Sequence, residues 1–226
     1  FPAVLTRWEG IDCYNAHPLI YAYGETNIAI TGKGVIDGQG ANENWWAMCG
    51  APKYGWKEGM VAQRNGGRER LLMYGETSTP IYKRIMTPED GMRPQLINFY
   101  SCNTVLIEDV TLLNSPFWVI HPLFCESLIV RGVHVFNRGP NGDGCDPESC
   151  KNVLIENCIF DTGDDCIAIK SGRNADGRKW NIPSENIIVR KCFMKNGHGG
   201  VVVGSEISGG YRNLFVEDCK MDSPEL

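Results

Sequence analysis

The sequence has no apolar stretch approaching the roughly 18 residues that a membrane-spanning helix requires, and it has no basic run, its formal net charge being −5. The first absence argues against membrane insertion. The second argues against nucleic acid or an anionic bilayer as partner, so any anionic ligand needs a local basic pocket. Helical periodicity is also scarce: the apolar residues fall in runs of four or five bounded by polar turns, which is a strand pattern. No signal segment is recognisable and Phe1 stands where an initiating Met would be, so a processed or excised piece of a longer protein is expected.

Nothing resembling a flexible linker divides the 226 residues, so one domain spanning 1–226 is expected. The strand pattern breaks at about 41–93, where Trp45, Trp46, Trp56, many charges and Gly66-Gly67 occur. This reads as an insertion with a short helix near Arg68 to Tyr74. We expect it to pack on its own aromatics as a surface excursion rather than to touch a ligand.

Cysteine is abundant, with 10 residues. Cys102, Cys125 and Cys150 each lie just before an apolar run, and Cys158, Cys192 and Cys219 each close one. Cysteines recurring at one position of a repeat are expected to stack as small buried thiols rather than to form bridges. Cys13 and Cys49 lie outside that pattern and could pair.

After Pro94 a repeat takes over. Anchored on Asn103, Ser127, Asn152, Asn186 and Asn213, its steps are 24, 25, 34 and 27 residues, and Asn27 begins a matching phrase upstream. β-Branched runs at a period in the mid-twenties, with no room for a helix between them, indicate a solenoid of stacked coils. The expected fold is therefore all-β, a right-handed parallel β-helix and a fragment lacking terminal coils, with the recurring asparagines stacked as a polar ladder.

Three polar clusters punctuate the repeat: NGDGCD at 141–146, TGDDCIAIKSG at 162–172 and NGHGG at 196–200. Aligning Cys145, Cys166 and Gly200 as the first residues of equivalent strands puts Asp143, Asp164 and His198 in one column, with Asp165 beside it. Taken singly, Asp-Gly and Gly-Asp are ordinary turn residues. Stacked on coils about 4.8 Å apart, carboxylates repel one another and raise a pKa, a cost that a plain turn avoids.

Asn141-Gly142-Asp143, Gly163-Asp164-Asp165 and Gly197-His198-Gly199, in this order, resemble glycoside hydrolase family 28, the polygalacturonases. Gly142 stands where that family usually has threonine, a mild departure. The family's Arg-Ile-Lys motif, which holds a substrate carboxylate, is absent and is expected beyond the sequence. The resemblance implies single-displacement hydrolysis of α-1,4-galacturonosyl bonds in pectin, an acidic polysaccharide, without metal or other cofactor, in a secreted or periplasmic setting. It assigns catalysis to Asp143, Asp164, Asp165 and His198, with Asp164 as general acid and Asp143 and Asp165 positioning the water.

An acidic sugar calls for cations, and Lys170, Arg173 and Arg178 are clustered next to the acid coil; Lys170 is favoured, then Arg178. Trp118 and His121 lie one coil earlier and are candidates to stack on or hydrogen-bond a sugar, with coil-edge packing as the alternative. Asn141 joins them as a candidate contact. The insertions at 41–93 and 172–183 resemble those of members that cut from chain ends. A rhamnogalacturonan or xylogalacturonan hydrolase, a calcium-using pectate lyase and a non-catalytic carbohydrate-binding or adhesin β-helix remain alternatives.

Overall fold

The computed structural model describes residues 2–222, wound as a parallel β-helix. One sheet stacks Thr26–Thr31, Asn103–Glu108, Glu126–Arg131, Lys151–Glu156, Ser184–Arg190 and Tyr211–Glu217. A second stacks Val35–Asp37, Thr111–Leu113, His134–Asn137, Ile159–Thr162, Phe193–Lys195 and Lys220–Asp222. The third begins with Ile20–Tyr23, Ile97–Tyr100 and Ile120–Leu123, passes through single bridges at Cys145 and Glu148, and resumes as Ile167–Ile169 and Val201–Val203.

Each short strand turns alternate side chains inward, so like residues meet from coil to coil. Ile107, Val130, Ile155 and Val189 are in register in the first sheet, and Leu112, Val135, Phe160 and Met194 in the second, all fully buried. Outside, the residues closing the first-sheet strands alternate in sign: Glu108, Arg131, Glu156, Arg190 and Glu217 are successive partners. Arg131 reaches Glu108 at 3.2 Å and Glu156 at 2.7 Å, and Arg190 reaches Glu156 at 2.8 Å. Stacking one sign at this spacing would be repulsive, and alternation avoids that.

The asparagine ladder forms, shifted by one residue at one coil. Asn27, Ser127, Asn152, Asn186 and Asn213 all have φ between 57° and 60°, and the residue sharing that conformation and register is Thr104, not Asn103. Asn and Ser tolerate this left-handed conformation better than most side chains. Asn213 donates to the Asn186 side chain at 2.9 Å and Asn186 to Asn152 at 3.0 Å. All ten cysteines are free, nine of them buried, and Cys13 and Cys49 do not pair. The Cys150 thiol donates to Pro122 O at 3.2 Å and the Cys125 thiol to Phe99 O at 3.2 Å, so each sulfur packs on the coil before its own.

Two features depart from the sequence reading. Residues Ala3–Trp8 and Ile11–Ala16 form an antiparallel hairpin turned by Glu9 and Gly10, both with positive φ, as a two-residue hairpin loop demands. The insertion does not simply pack on its own aromatics. It carries helix α1 (Arg68–Glu76), contributes Leu71, Met86 and Met92 to a second core with Trp8, Ile11 and Phe117, and sends Arg68 into a cavity described below. A second helix, α2 (Asn174–Trp180), occupies the other insertion. Buried ions clasp these parts together: Arg7 meets Asp12 at 2.8 Å and Glu148 at 3.0 Å, and Arg84 pairs with Asp176 of α2.

Burial of the thiols sets a direct expectation. In the native protein a soluble alkylating reagent should leave the nine buried cysteines unmodified, and all ten should react once the chain is unfolded in denaturant; fast native labelling of Cys125 or Cys158 would contradict the stacked arrangement.

Candidate active site

The turns between the second and third sheets carry the polar clusters, and the register of the third sheet decides how they stack. Ile120 bridges Cys145, Cys145 bridges Ile167, and Ile167 pairs with Val201. Asp143 therefore lies in register with Asp165 and Gly199, while Gly142, Asp164 and His198 form the neighbouring column. This corrects the alignment of Cys145 with Cys166: matching the two cysteines displaced Asp143 by one position, whereas the inward apolar residue, cysteine in one coil and isoleucine in the next, sets the true stack. Glycines allow the turns this close. A Cβ on Gly163 would meet Arg138 O at 2.6 Å, and one on Gly197 would meet Asp164 O at 2.6 Å. Gly142 is no mild departure here either, because a side chain there would approach Gly139 O at 2.6 Å.

Oxygens of Asp143, Asp164 and Asp165 all lie within 4.8 Å of one another, close enough for each carboxylate to disfavour ionisation of the others or for the three to hold a cation. They line a cavity of about 210 Å³ together with Glu9, Arg68, Trp118, Asn141, Lys170, Arg173, Ser205 and Glu206. A larger cavity of about 380 Å³ lies beside Asp37, Trp45 and Leu96, but Asp37 is its only carboxylate among the described residues. Of these two cavities only the smaller brings several carboxylates together.

Burial separates the three acids. Asp143 is 3% exposed, and loss of water together with the charges of Asp164 and Asp165 overrides the attraction of Lys170, pushing its pKa up to about 8. Burial and Asp164 raise Asp165 to about 6. Asp164 is more open, and His198, half-exposed, brings Nδ1 to 3.2 Å from its Oδ1. Behind Asp143 lies fully buried Asp146, which burial and the Asp143 charge raise well above the usual carboxylate range. It belongs to NGDGCD, yet its position beyond the turn gave no reason to single it out.

The proposed sugar-binding residues fare unevenly. Lys170 reaches the cavity but is buried and committed: Nζ donates to Glu206 at 2.9 Å and Gly204 O at 3.1 Å, lies 3.7 Å from both Asp143 and Asp146, and sits 4.4 Å from the Trp118 ring centre. Burial alone would lower its pKa, and the three carboxylates more than reverse this. Trp118 lines the cavity but stacks on Phe117 at 5.0 Å with Lys170 over its ring, so it supports the ammonium rather than offering an open sugar platform. Arg173 is in place, held by Glu9 at 2.8 Å and by Glu206. Asn141 accepts from Arg93 at 2.6 Å.

Two expectations fail. Arg178 is exposed on α2 and does not line the cavity, because the helix turns it to solvent while Arg173, before the helix, points inward. His121 is fully buried, with Nε2 2.8 Å from Glu148 Oε2. Burial outweighs the pull of Glu148 and keeps it neutral, while Arg7 and His121 overcome the burial of Glu148 and hold that carboxyl down at about 2. His121 is part of the scaffold. The cavity wall also includes Glu9, Arg68 and Glu206, which the sequence reading did not single out. The signal for Glu9 was a Glu-Gly turn between two strand-like runs.

The family model described as "Glycosyl hydrolases family 28" matches residues 85–225. The chain belongs to this family. It is 33% identical over 204 residues to a probable polygalacturonase of Vitis vinifera, covering 88% of this chain and 34% of that protein. It is 29% identical over 201 residues to the exo-poly-alpha-D-galacturonosidase of Dickeya chrysanthemi, covering 85% and 32%. The crystal structure of a hyperthermoactive exopolygalacturonase from Thermotoga maritima superposes with a TM-score of 0.95 at 48% identity, covering 97% of this chain and 50% of that one. The chain thus spans about a third of the length of these curated relatives and half of that solved chain. Its family 28 turns, with the glycines that let them stack, account for the tight acid cluster.

That cluster costs stability, and the sign follows from linkage. Asp143 binds its proton more tightly folded than unfolded, so its contribution is complete below the ordinary carboxylate value of about 4 and is lost as pH rises through about 8. Asp143→Asn should therefore raise the thermal midpoint by a few degrees at pH 8 and change it little near pH 4. An equal shift at both values would mean that the carboxyl is not perturbed in this way.

Proposed function

We propose that the protein hydrolyses α-1,4-galacturonosyl linkages of pectic galacturonan by single displacement, cutting from the chain end. The observation that carries this reading is the partition of three clustered carboxylates into a stacked pair, Asp143 and Asp165, and a third, Asp164, beside a histidine and open to the cavity. Asp164 is the general acid: it is less buried than Asp143 and, of the three, it is the one that His198 contacts and orients. Asp143 and Asp165 hold the attacking water between them. The proton that burial keeps on Asp143 passes within the cluster to Asp164 and on to the glycosidic oxygen as the bond from C1 breaks. Water adds to C1 and returns a proton to the Asp143–Asp165 pair, which regenerates the site.

The cluster is tighter than the roughly 6.5–9.5 Å typical of inverting carboxylate pairs, since its oxygens lie within 4.8 Å. Inversion is therefore inferred from family membership, not from spacing, and proton NMR of the first-formed reducing ends tests it: β-anomer for single displacement, α-anomer for a covalent intermediate. The exo reading is supported by Trp46 of the insertion. Its Nε1 donates to Ser115 O at 2.9 Å, and its ring packs so tightly on Gly139 that a Cβ there would meet it at 2.4 Å, which pins the insertion to the coils just before the acid cluster. The similarity to two exo-acting proteins agrees. A polymer of this size is met outside the cytoplasm, which favours a secreted or periplasmic enzyme; among the described residues no helix is long and apolar enough to cross a membrane.

In the full-length protein, Asp164→Asn should lower release of reducing ends from polygalacturonate by at least about a thousandfold with an unchanged circular dichroism spectrum, whereas His198→Ala should lower it less. An active Asp164→Asn enzyme would sink the assignment. With Asp165 near 6 and Asp143 near 8, kcat/KM should fall below about pH 6, where the base pair gains a second proton, and above about pH 8, where the cluster loses its last one. Mono- or digalacturonate as the sole early product supports exo action; an early ladder of oligomers refutes it.

A further inference from the structure

Three cations line the acidic cavity, and two of them are each held at several points by carboxylates and other acceptors. Lys170 is bound to Glu206 and Gly204 O and faces Asp143 and Asp146. Arg173 gives Nη1 to Glu9 and Nη2 to Glu206 and Ser205. Arg68 is different. Its Nε donates to Glu9 Oε2 at 2.7 Å, and among the described residues no hydrogen bond engages Nη1 or Nη2. Its side chain is 31% exposed at the start of α1, on the wall facing the three aspartates. Glu9 serves as the shared counter-ion of Arg68 and Arg173, with one oxygen accepting from both, and so fixes the Arg68 side chain through Nε while leaving both Nη atoms without a hydrogen-bond partner among the described residues.

An anion entering here meets five acids, Glu9, Asp143, Asp164, Asp165 and Glu206, against those three cations. Attraction therefore depends on whichever donors are uncommitted, and a planar guanidinium edge matches a carboxylate with two parallel hydrogen bonds. We infer that Arg68 binds the carboxylate of a uronosyl residue seated in this cavity and contributes to the preference of the site for uronic acids over neutral sugars. The inference rests on the galacturonan reading above. It gives the 41–93 insertion a chemical role, since Arg68, which that insertion contributes to the cavity wall, brings the donor that reads the sugar.

The test compares wild type, Arg68→Ala, Arg68→Gln and Arg68→Lys in the full-length protein. Calorimetry measures binding of galacturonate and galactose, and kinetics are taken on oligogalacturonates. Wild type should bind galacturonate in preference to galactose. Arg68→Ala and Arg68→Gln should reduce that preference about tenfold or more and raise KM by a similar factor, with kcat falling less than KM rises, and Arg68→Lys should recover part of the loss. Unchanged preference and KM in Arg68→Ala overturn the inference, as does a wild-type protein that does not discriminate between the two sugars. A wild type that prefers galacturonate but hydrolyses no galacturonan sinks the hydrolase reading and leaves the Arg68 site standing.

Discussion

Backbone pairing between parallel coils, about 4.8 Å apart, is the constraint from which the rest of this molecule follows. Every position on the solenoid has a neighbour above and below at that distance, so any residue type placed at a recurring position is forced to meet its own kind or a chosen complement. On the outer face of the first sheet the answer is alternation, Glu108 against Arg131 against Glu156 against Arg190. Along the inner edges it is small thiols and aliphatics. At the turns leading into the third sheet it is like charge upon like charge, Asp143 against Asp165, the one arrangement that the spacing makes unfavourable.

That unfavourable contact is tolerated because the surroundings divide the charge. Lys170, buried beneath Asp143, is itself shared with Asp146 and Glu206, so it neutralises the cluster only partly, and burial keeps a proton on Asp143. A cluster divided in this way holds protonated and ionised carboxyls of the same residue type at one pH, the pairing on which the proposed glycosidic cleavage relies. The scaffold supplies rigidity through the glycine-lined turns, where the absence of Cβ atoms lets one backbone lie directly on the next.

The repeat made much of this legible in the sequence. Aliphatic runs followed by Cys, Asn and Asp at recurring intervals could be assigned to stacked coils because stacking demands repetition, and the three acids and His198 could be gathered for the same reason. The limits were also physical. Register follows the inward-pointing residue, and Cys145 shares its position with Ile167 rather than Cys166, so residue identity misled by one. Asn103 gave way to Thr104 likewise. The cavity wall was hidden for a different cause: Glu9, Arg68 and Arg173 meet through ion pairs 59 and 164 residues apart in the chain, and no periodicity marks such pairs. His121 and Arg178 could not be separated from cleft residues without knowing which way the neighbouring helix and strand face.

The hairpin at residues 3–16 gives the molecule a second kind of order. The coils grow by contacts with their immediate neighbours, as in any solenoid, but the hairpin touches Glu148, Asp176 and Arg173, elements far along the chain. Its contacts are complete only when those coils are in place. A chain with every coil formed and its first sixteen residues still unseated would have the secondary structure of the finished solenoid, yet its acid cluster would face open solvent without Glu9 to hold the arginines. The carboxylates are set by short-range stacking and the wall around them by long-range closure, so the two halves of the pocket depend on different kinds of contact.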